Sequence, residues 1–227
     1  MEMIPATIVH KALHNANHLR LHIQPSISTY SWIAGQWLDF ATEEFLNLPR
    51  KQKPVGGYSF CSPTGSGTFE LCVKRSNHPV SSWLFQECTE VGDTVLIGKA
   101  SGTCIYPPSS KNEDPPDVVC LAGGVGITPL ISIVRTANIL SREDSSINAT
   151  VYHAMRHRET GLLFESEIPP DNIFVCSEGR RINFLDVGKK HGPNVDYYVC
   201  GPTRFMDMAI EQLQSLGCSR IHHESWW

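Results

Sequence analysis

The chain has 227 residues and a formal net charge of −4, with 41% hydrophobic and 19% charged residues. This composition is ordinary for a globular protein, and the negative net charge argues against nucleic-acid binding, which needs clustered Lys and Arg. No apolar run approaches the roughly 20 residues of a membrane-crossing helix. Residues 1–10 resemble neither a signal peptide nor a transit peptide, so we expect a soluble intracellular protein, cytoplasmic or mitochondrial.

The eight cysteines are scattered singly along the chain, at Cys61, Cys72, Cys88, Cys104, Cys120, Cys176, Cys200 and Cys218. None forms a C-x-x-C pair or the clustered spacing of an iron–sulfur or zinc site. We therefore predict no metal centre and no disulfide framework. Any redox chemistry is expected to come from an organic cofactor.

The first half of the chain is rich in short strand-like runs separated by Gly, Pro, Asn and Ser clusters. The predicted strands are 7–10, 19–23, 36–40, 58–62, 69–74 and 94–97. Such spacing is typical of an antiparallel sandwich or barrel. One helix is predicted from about 80 to 88, after Pro79 and with Ser81 or Ser82 as its cap. This half, 1–110, forms the first predicted domain.

The second predicted domain, 111–227, begins with a polar, proline-rich linker at 111–117. The run 118–122 is continuously apolar, as in a strand buried on both faces. Further strands are predicted at 149–153, 173–176 and 196–200, and helices at 129–140, 162–167 and 204–216. Strands that alternate with helices predict a parallel sheet covered by helices.

A glycine-rich loop joins the first buried strand of this domain to a helix. Its residues are Gly123, Gly124, Val125, Gly126, Ile127, Thr128 and Pro129. Glycines let the backbone approach a ligand closely, and Thr128 and Pro129 suit the cap and first turn of a helix. Exposed N–H groups and the positive end of the helix dipole favour an anion such as a pyrophosphate. The alternative is a tight structural turn.

The loop resembles the G-G-x-G-x-T-P motif of the ferredoxin–NADP reductase family, and four further segments match that family in order. They are Gly35-Gln36-Trp37, Tyr58-Ser59 of an R-x-Y-S flavin motif, Cys200-Gly201-Pro202, and the ending Glu224-Ser225-Trp226-Trp227. A narrower resemblance to one branch of the family rests on Gly56-Gly57-Tyr58-Ser59, Val73-Lys74, Asn77-His78-Pro79, the glycine loop and the double tryptophan. The resemblance covers nearly the whole chain.

This resemblance implies a flavin-binding antiparallel β-barrel followed by an NAD(P)-binding α/β parallel-sheet domain. Tyr58 would lie against the flavin ring, and Ser59 would hydrogen-bond the ring nitrogen that receives hydride. Cys200 would sit beside the reactive nicotinamide carbon, with Gly201 and Pro202 in the same motif. Glu224 would complete a polar set with Ser59 and Cys200. Trp226 would cover the other flavin face, whereas Trp37 and Trp227 are equally explained as packing.

Two departures from the family pattern concern the flavin. Gly56 stands where the family has an arginine that neutralises the flavin pyrophosphate. Lys74, Arg75 or Lys99 would have to compensate, and each is equally explained as a solvated charge. Gly98, Ser101 and Gly102 belong to a loop that offers backbone N–H groups to a flavin phosphate, or is simply a turn. FAD is therefore favoured, with FMN as the alternative.

A third departure lies after Cys200-Gly201-Pro202, where the family methionine falls on Phe205 and Met206 follows one position late.

Two basic segments follow predicted strands where the family surrounds the adenosine ribose. They are Met155-Arg156-His157-Arg158 and Ser177-Glu178-Gly179-Arg180-Arg181. Arginines suit a 2′-phosphate and an acidic residue suits a ribose hydroxyl. Because arginines predominate, NADPH is favoured over NADH.

The sequence thus predicts a flavoprotein that passes hydride from NAD(P)H to a bound flavin and electrons to an unidentified acceptor. The competing hypothesis is a degenerate nucleotide-binding or regulatory module that has lost its flavin.

Overall fold

The computed structural model describes residues 3–44, 54–107, 117–143 and 147–224. The predicted linker 111–117 lies outside them except for its last residue. The boundary between 1–110 and 111–227 therefore stays a prediction.

The first half forms an antiparallel sheet. Its elements are β1 Met3–Asn15, β2 His18–Pro25, β3 Ser31–Trp32, β4 Trp37–Thr42, β5 Gly56–Ser59, β6 Gly65–Ser66, β7 Phe69–Lys74, α1 Pro79–Leu84 and β8 Thr94–Gly98. Six of the strands pair in the order β5-β4-β8-β1-β2-β7. The edge strands of this sheet meet through a bridge between Phe60 and Leu71, which closes it into a barrel. Alternate residues such as Leu38 and Phe40 fill the barrel interior.

The second half forms a parallel sheet covered by helices. Its elements are β9 Val118–Gly123, α2 Ile127–Glu143, β10 Ala149–Met155, α3 Arg158–Gly161, β11 Ile173–Val175, α4 Phe184–His191, β12 Asp196–Cys200, α5 Thr203–Ser215 and β13 Ile221–His223. The five strands pair in the order β11-β10-β9-β12-β13. The central strand β9 is buried along its whole length, as its unbroken apolar sequence predicts. Both predicted architectures are confirmed.

Helix α2 is the core helix of the second half and also its longest. The stretch Gly124–Ser141 has the length and mean hydropathy, 1.2, of a membrane-crossing helix, but 61% of it is buried inside the protein. Leu130, Ile131 and Val134 pack in the core cluster that also contains strand β9. Burial against the sheet accounts for this apolar sequence.

Helix α2 also joins the two halves through polar contacts. Arg135 donates to the backbone oxygen of Cys61 at 2.8 Å and pairs with Glu70 on β7 at 2.7 Å. Glu70 pairs in addition with Arg20 on β2. The backbone N–H of Thr64 donates to the hydroxyl of Thr136 at 2.9 Å. These contacts fix the barrel against the α/β half and so define the cleft between them.

Several predicted boundaries were wrong. Helix α1 ends at Leu84 and not near 88, and its N-cap position is His78, not Ser81 or Ser82. The predicted helix 162–167 is replaced by the short α3 and a 3-10 turn at Glu165–Glu167. Helix α4 and strand β13 were missed. Predicted strands 69–74 and 196–200 match β7 and β12.

Candidate functional site

The glycine loop and the Cys200-Gly201-Pro202 segment touch each other, because both follow neighbouring strands, β9 and β12, at the same edge of the sheet. A Cβ on Gly126 would lie 2.4 Å from the backbone oxygen of Cys200. A Cβ on Gly201 would lie 2.9 Å from the Cα of Gly123. The two segments therefore pack backbone against backbone at the carboxyl edge, where open α/β sheets bind ligands.

The loop itself forms a 3-10 turn at Gly124–Gly126, and helix α2 begins directly after it at Ile127. Thr128 is therefore inside the first turn of the helix, and not its cap as predicted. The Thr128 hydroxyl donates to the backbone oxygen of Val125 at 3.0 Å. Pro129 follows in the first turn, as expected. The Ile127 N–H donates to the Gly124 oxygen and Pro129 has no N–H, so the first turn of this 17-residue helix offers few backbone donors of its own.

His153, on β10, forms a hydrogen bond with the glycine loop and was not predicted from the sequence. Its Nε2 lies 2.9 Å from the backbone oxygen of Gly124, so the ring carries a proton there and Nδ1 is an acceptor. That Nδ1 is buried, with no hydrogen-bond partner among the described residues. Because a trans peptide directs its C=O and N–H oppositely, the N–H of Val125 points away from His153. Burial lowers the pKa of His153 to about 4, which keeps the ring neutral.

A cavity of about 420 Å³ lies between the two halves, and we call it the main cavity because Ser59 and Cys200 both line it. It brings together the predicted flavin motif, the glycine loop and the Cys200 segment. Its lining includes Tyr58, Ser59, Lys74, Gly123, Gly124, Val125, Gly126, Thr128, Pro129, Cys200, Gly201 and Pro202. Residues that are more than 140 positions apart in the chain thus face one space, of the size that ligand sites in proteins occupy.

Tyr58 points its ring back over Gly56. The two residues lie on the same face of β5, and a Cβ on Gly56 would be 2.7–3.0 Å from the tyrosine ring and hydroxyl. The ring centroid lies 5.8 Å from that of Phe40, edge to face. Burial raises the pKa of Tyr58 well above its ordinary value. The replacement of the family arginine by glycine therefore makes room for this position of the ring.

A second cavity of about 520 Å³ continues from the glycine loop past the end of β10. Arg156, His157 and Phe205 line it, together with Gly123, Gly124, Val125 and Pro202. The other basic residues predicted near the ribose are placed elsewhere. Arg158 pairs with Glu178 at 3.0 Å, and Arg180 lies over the ring of Phe174. Ser177 and Arg181 are exposed and outside the cavity lining.

Gly98 and Ser101 line a third cavity, of about 470 Å³, with Lys99 and Asp39. It is lined by barrel residues only and shares none with the main cavity. Ser101 exchanges two backbone hydrogen bonds with Trp37. A Cβ on Gly102 would lie 2.9 Å from Trp37 and from the carboxylate of Glu224. The predicted flavin residues are therefore divided between two cavities.

Glu224 and Cys200 line the same small cavity, together with Cys104 and Gly35. The indole N–H of Trp37 donates to Glu224 Oε1 at 3.4 Å, while Oε2 is buried without a hydrogen-bond partner among the described residues. Burial, followed by the neighbouring Cys200 and Glu224, raises the pKa of Cys104 to about 12. Ser59 does not line this small cavity. Trp226 and Trp227 lie outside the described residues.

No protein-family model matches the chain. An oxidoreductase NAD-binding domain-containing protein 1 from Xenopus laevis is 30% identical over 260 aligned residues, covering 98% of this chain and 79% of that relative. The chain belongs to the oxidoreductase NAD-binding domain-containing protein 1 family. This family is the branch that the Gly56-Gly57-Tyr58-Ser59 segment and the double tryptophan resemble.

Solved structures of two-domain reductases share the fold of this oxidoreductase NAD-binding domain-containing protein 1 family member. The flavohem-like FAD/NAD binding domain of nitric oxide dioxygenase from Vibrio cholerae superposes with a TM-score of 0.72 at 19% identity, covering 98% of both chains. The cytochrome b5 reductase domain of Ulva prolifera nitrate reductase gives a TM-score of 0.73 at 18% identity, covering 98% of this chain and 97% of that one. The ferredoxin–NADP reductase-like fold is confirmed.

Proposed function

We propose that the protein is an NAD(P)H-dependent flavoprotein oxidoreductase that takes hydride from the nicotinamide into a bound flavin and passes electrons to a separate acceptor. The observation that carries this proposal is the main cavity, which Ser59 lines from the barrel while Cys200 and the glycine loop line it from the α/β half. A flavin and a nicotinamide must meet for hydride transfer, and one cavity shared by both motifs permits that contact.

The nicotinamide dinucleotide fits the glycine loop. Gly124, where an added Cβ would meet no protein atom within 4 Å, carries no side chain that would hold a pyrophosphate away from the backbone. The Val125 N–H, held away from His153, and the positive end of the helix α2 dipole favour an anion. Arg156 and His157 line the second cavity and would contact the ribose, which favours NADPH over NADH.

The flavin fits the barrel side of the main cavity. Ser59 and Tyr58 line it, and Lys74 is the cationic side chain in its described lining. The flavin supplies the hydride-accepting ring, and the protein supplies position and electrostatics. We favour FAD over FMN because the domain of similar fold from Vibrio cholerae is named as an FAD/NAD binding domain. Gly98, Ser101 and Gly102 remain the proposed contacts to a flavin phosphate.

Each polar side chain has a proposed task. The Ser59 hydroxyl donates a hydrogen bond to the flavin ring, and the Cys200 thiol packs against the nicotinamide. Glu224, whose Oε2 is buried without a partner among the described residues, lies behind Cys200 and accepts a hydrogen bond from Trp37. Trp226 remains the proposed cover for the second flavin face.

The alternative function is a nucleotide-binding module without flavin. It is supported by Gly56, which removes the family arginine, and by the Tyr58 ring that lies over this glycine. The nucleotide side of the site is unaffected by either feature. The two functions therefore differ only in whether the barrel holds a flavin.

Reconstitution separates these functions. The purified chain is incubated with FAD or FMN, passed through gel filtration, and mixed without oxygen with NADPH or NADH while the visible flavin absorbance is followed. The proposal expects a retained flavin that bleaches faster with NADPH. If the chain binds dinucleotide but retains neither flavin at micromolar concentration, the result supports the alternative function, a nucleotide-binding module without flavin.

A serine substitution tests the placement of the flavin. Ser59→Ala is expected to slow bleaching by roughly tenfold or more, because the lost hydrogen bond would raise the activation free energy by about 1.5 kcal/mol. Ser66→Ala is the matched control, because Ser66 is exposed on the short edge strand β6. Equal bleaching rates for the two variants would remove Ser59 from the proposed site.

A further inference from the structure

The barrel supplies one wall of the second cavity, opposite the glycine loop. Asn17 and His18, from the turn between β1 and β2 and the start of β2, line it with Lys74 at the end of β7. His18 and Lys74 are direct neighbours across the β2–β7 pairing. Gly124 and Val125 line the same space from the α/β half. A ligand in this cavity therefore contacts both halves of the protein.

The His18 ring is held in a defined orientation. Its Nδ1 lies 3.0 Å from the side-chain oxygen of Asn15, so Nδ1 donates this hydrogen bond and Nε2 carries the free lone pair. Only 2% of the residue is exposed to solvent. This hydrogen bond uses Nδ1 and leaves Nε2 to interact with a ligand in the cavity that His18 lines.

The groups around His18 are basic. Burial, followed by the nearby Lys74, His14 and His153, lowers the pKa of His18 to about 4. No carboxylate contributes to this shift among the described residues. Arg156 and His157 line the same cavity from the end of β10. A neutral histidine beside a lysine, in a cavity that an arginine also lines, suits an anionic ligand.

We propose that His18 binds the diphosphate of the nicotinamide dinucleotide opposite the glycine loop and takes up a proton when the dinucleotide binds. The step is a simple protonation: Nε2 gains a proton from solvent, and the resulting N–H donates a charge-assisted hydrogen bond to a phosphate oxygen. This inference rests on the proposed function, since it requires a dinucleotide in the cleft. It gives the β1–β2 hairpin of the barrel a role in nucleotide binding in addition to its structural role.

The sign of the pH dependence follows from the proton count. Because the complex holds one proton more than the free protein, affinity rises as the pH falls, until the free protein also protonates near pH 4. One full proton corresponds to about a tenfold weaker affinity for each pH unit of increase. The effect must be measured with NAD⁺, since the 2′-phosphate of NADP⁺ is a monoester that titrates itself near pH 6.

Calorimetry of the full chain with NAD⁺ tests this proposal. Titrations at pH 6.5 in two buffers of different ionisation enthalpy give the number of protons taken up, and titrations from pH 5.5 to 7.5 give the affinity. The wild type is expected to take up between about half a proton and one proton, with affinity weakening by at least about threefold per pH unit. His18→Gln is expected to take up markedly less, with a shallower pH dependence. His10→Gln, at an exposed histidine on β1 that does not line the cavity, is the matched control and is expected to keep the uptake.

Histidine NMR on the wild type makes the result independent of any variant. The His18 ring is expected to titrate near pH 4 in the free protein and at a clearly higher pH with NAD⁺ bound. Binding of NAD⁺ without proton uptake, or uptake that is unchanged in His18→Gln, overturns the role of His18 and leaves the proposed function standing. Failure of the wild type to bind any dinucleotide overturns both.

Discussion

Gly126 lies against the backbone of Cys200, so closely that a Cβ at position 126 would sit 2.4 Å from the Cys200 carbonyl oxygen and 2.8 Å from the Gly201 nitrogen. This contact links the end of β12 to the loop that follows β9. It explains in steric terms why a glycine is needed at this position. Any side chain at 126 must move one of the two segments that line the main cavity.

We therefore expect Gly126→Ala to weaken binding of nicotinamide dinucleotide by tenfold or more, which corresponds to about 1.4 kcal/mol. The physical reason is displacement of the loop from the Cys200 segment, because an overpacked contact relaxes by backbone shifts. Flavin affinity is expected to stay within about twofold, since Ser59 is on the barrel. Fluorescence titration with NADPH and flavin retention in gel filtration measure the two effects.

Gly124→Ala is the matched comparison. Its Cβ would meet nothing within 4 Å, although the backbone φ of +56° is left-handed. This change costs about 1 kcal/mol of backbone strain without a collision. A dinucleotide affinity reduced more by Gly124→Ala than by Gly126→Ala would show that the Gly126 contact does not position the loop.

His153 is expected to act as a positioning residue for the Val125 N–H. His153→Leu removes one of the two donors to the Gly124 oxygen, which also accepts from the Ile127 N–H, and the lost hydrogen bond is worth about 1 kcal/mol. We expect dinucleotide affinity to fall by about fivefold, and His153→Gln, which retains an N–H donor, to recover most of it. Calorimetry with NADP⁺ provides the measurement. A glutamine variant as weak as the leucine variant would reduce His153 to a packing role.

Much of the fold was predictable because apolar patterns dominate it. Strand β9 is unbroken in its apolar sequence and is central and buried, and β7 was predicted to the residue. Helix α4 was missed because Gly188 interrupts its eight-residue pattern. Strand β13, Ile221–His223, has only three residues, of which none is fully buried. Its pairing with β12 is a tertiary contact that a local pattern cannot reveal.

The candidate site was only partly predictable for a similar reason. The motifs around Ser59, Gly126 and Cys200 are local signals, and their meeting in one cavity was expected from their family resemblance. His153 and His18 have no motif around them, and their importance comes from contacts across strands and domains. The separation of Gly98 from the main cavity likewise depends on how the barrel closes. The part of the site that the sequence does not predict thus depends on burial and on contacts between residues that are distant in the chain.

The Glu70–Arg135 pair is expected to be a main polar determinant of stability between the two halves. The Glu70 side chain is only 8% exposed, and it neutralises both Arg20 and Arg135. Glu70→Ala leaves two guanidinium groups without that carboxylate, which should lower the free energy of unfolding by about 3 kcal/mol. Urea denaturation measures this loss.

Glu167→Ala is the control for that measurement, because Glu167 pairs with the same arginine but its side chain is 32% exposed. A pair of this kind is worth under about 1 kcal/mol. Equal losses for the two variants would show that burial does not determine the contribution of Glu70.

Stability is expected to fall in mild acid because of the buried histidines. Burial lowers the pKa values of His153 and His18 to about 4, from an ordinary value of 6.5. Between those two values the unfolded chain binds a proton at each ring and the folded protein does not, so stability is complete above about pH 6.5 and is lost as the pH falls towards 4. For the fully buried His153 alone, the loss between pH 7 and pH 5 is about 2 kcal/mol.

Unfolding by urea at several values between pH 7 and pH 5 measures this loss, a window chosen because most carboxylates stay ionised there. Burial also lowers the pKa values of His22 and His191, so the wild-type slope contains further contributions of the same sign. The difference between wild type and His153→Gln isolates His153: glutamine does not titrate, so the variant is expected to lose about 2 kcal/mol less across the window. If both proteins lose the same stability between pH 7 and pH 5, His153 is not buried as a neutral ring in the folded protein.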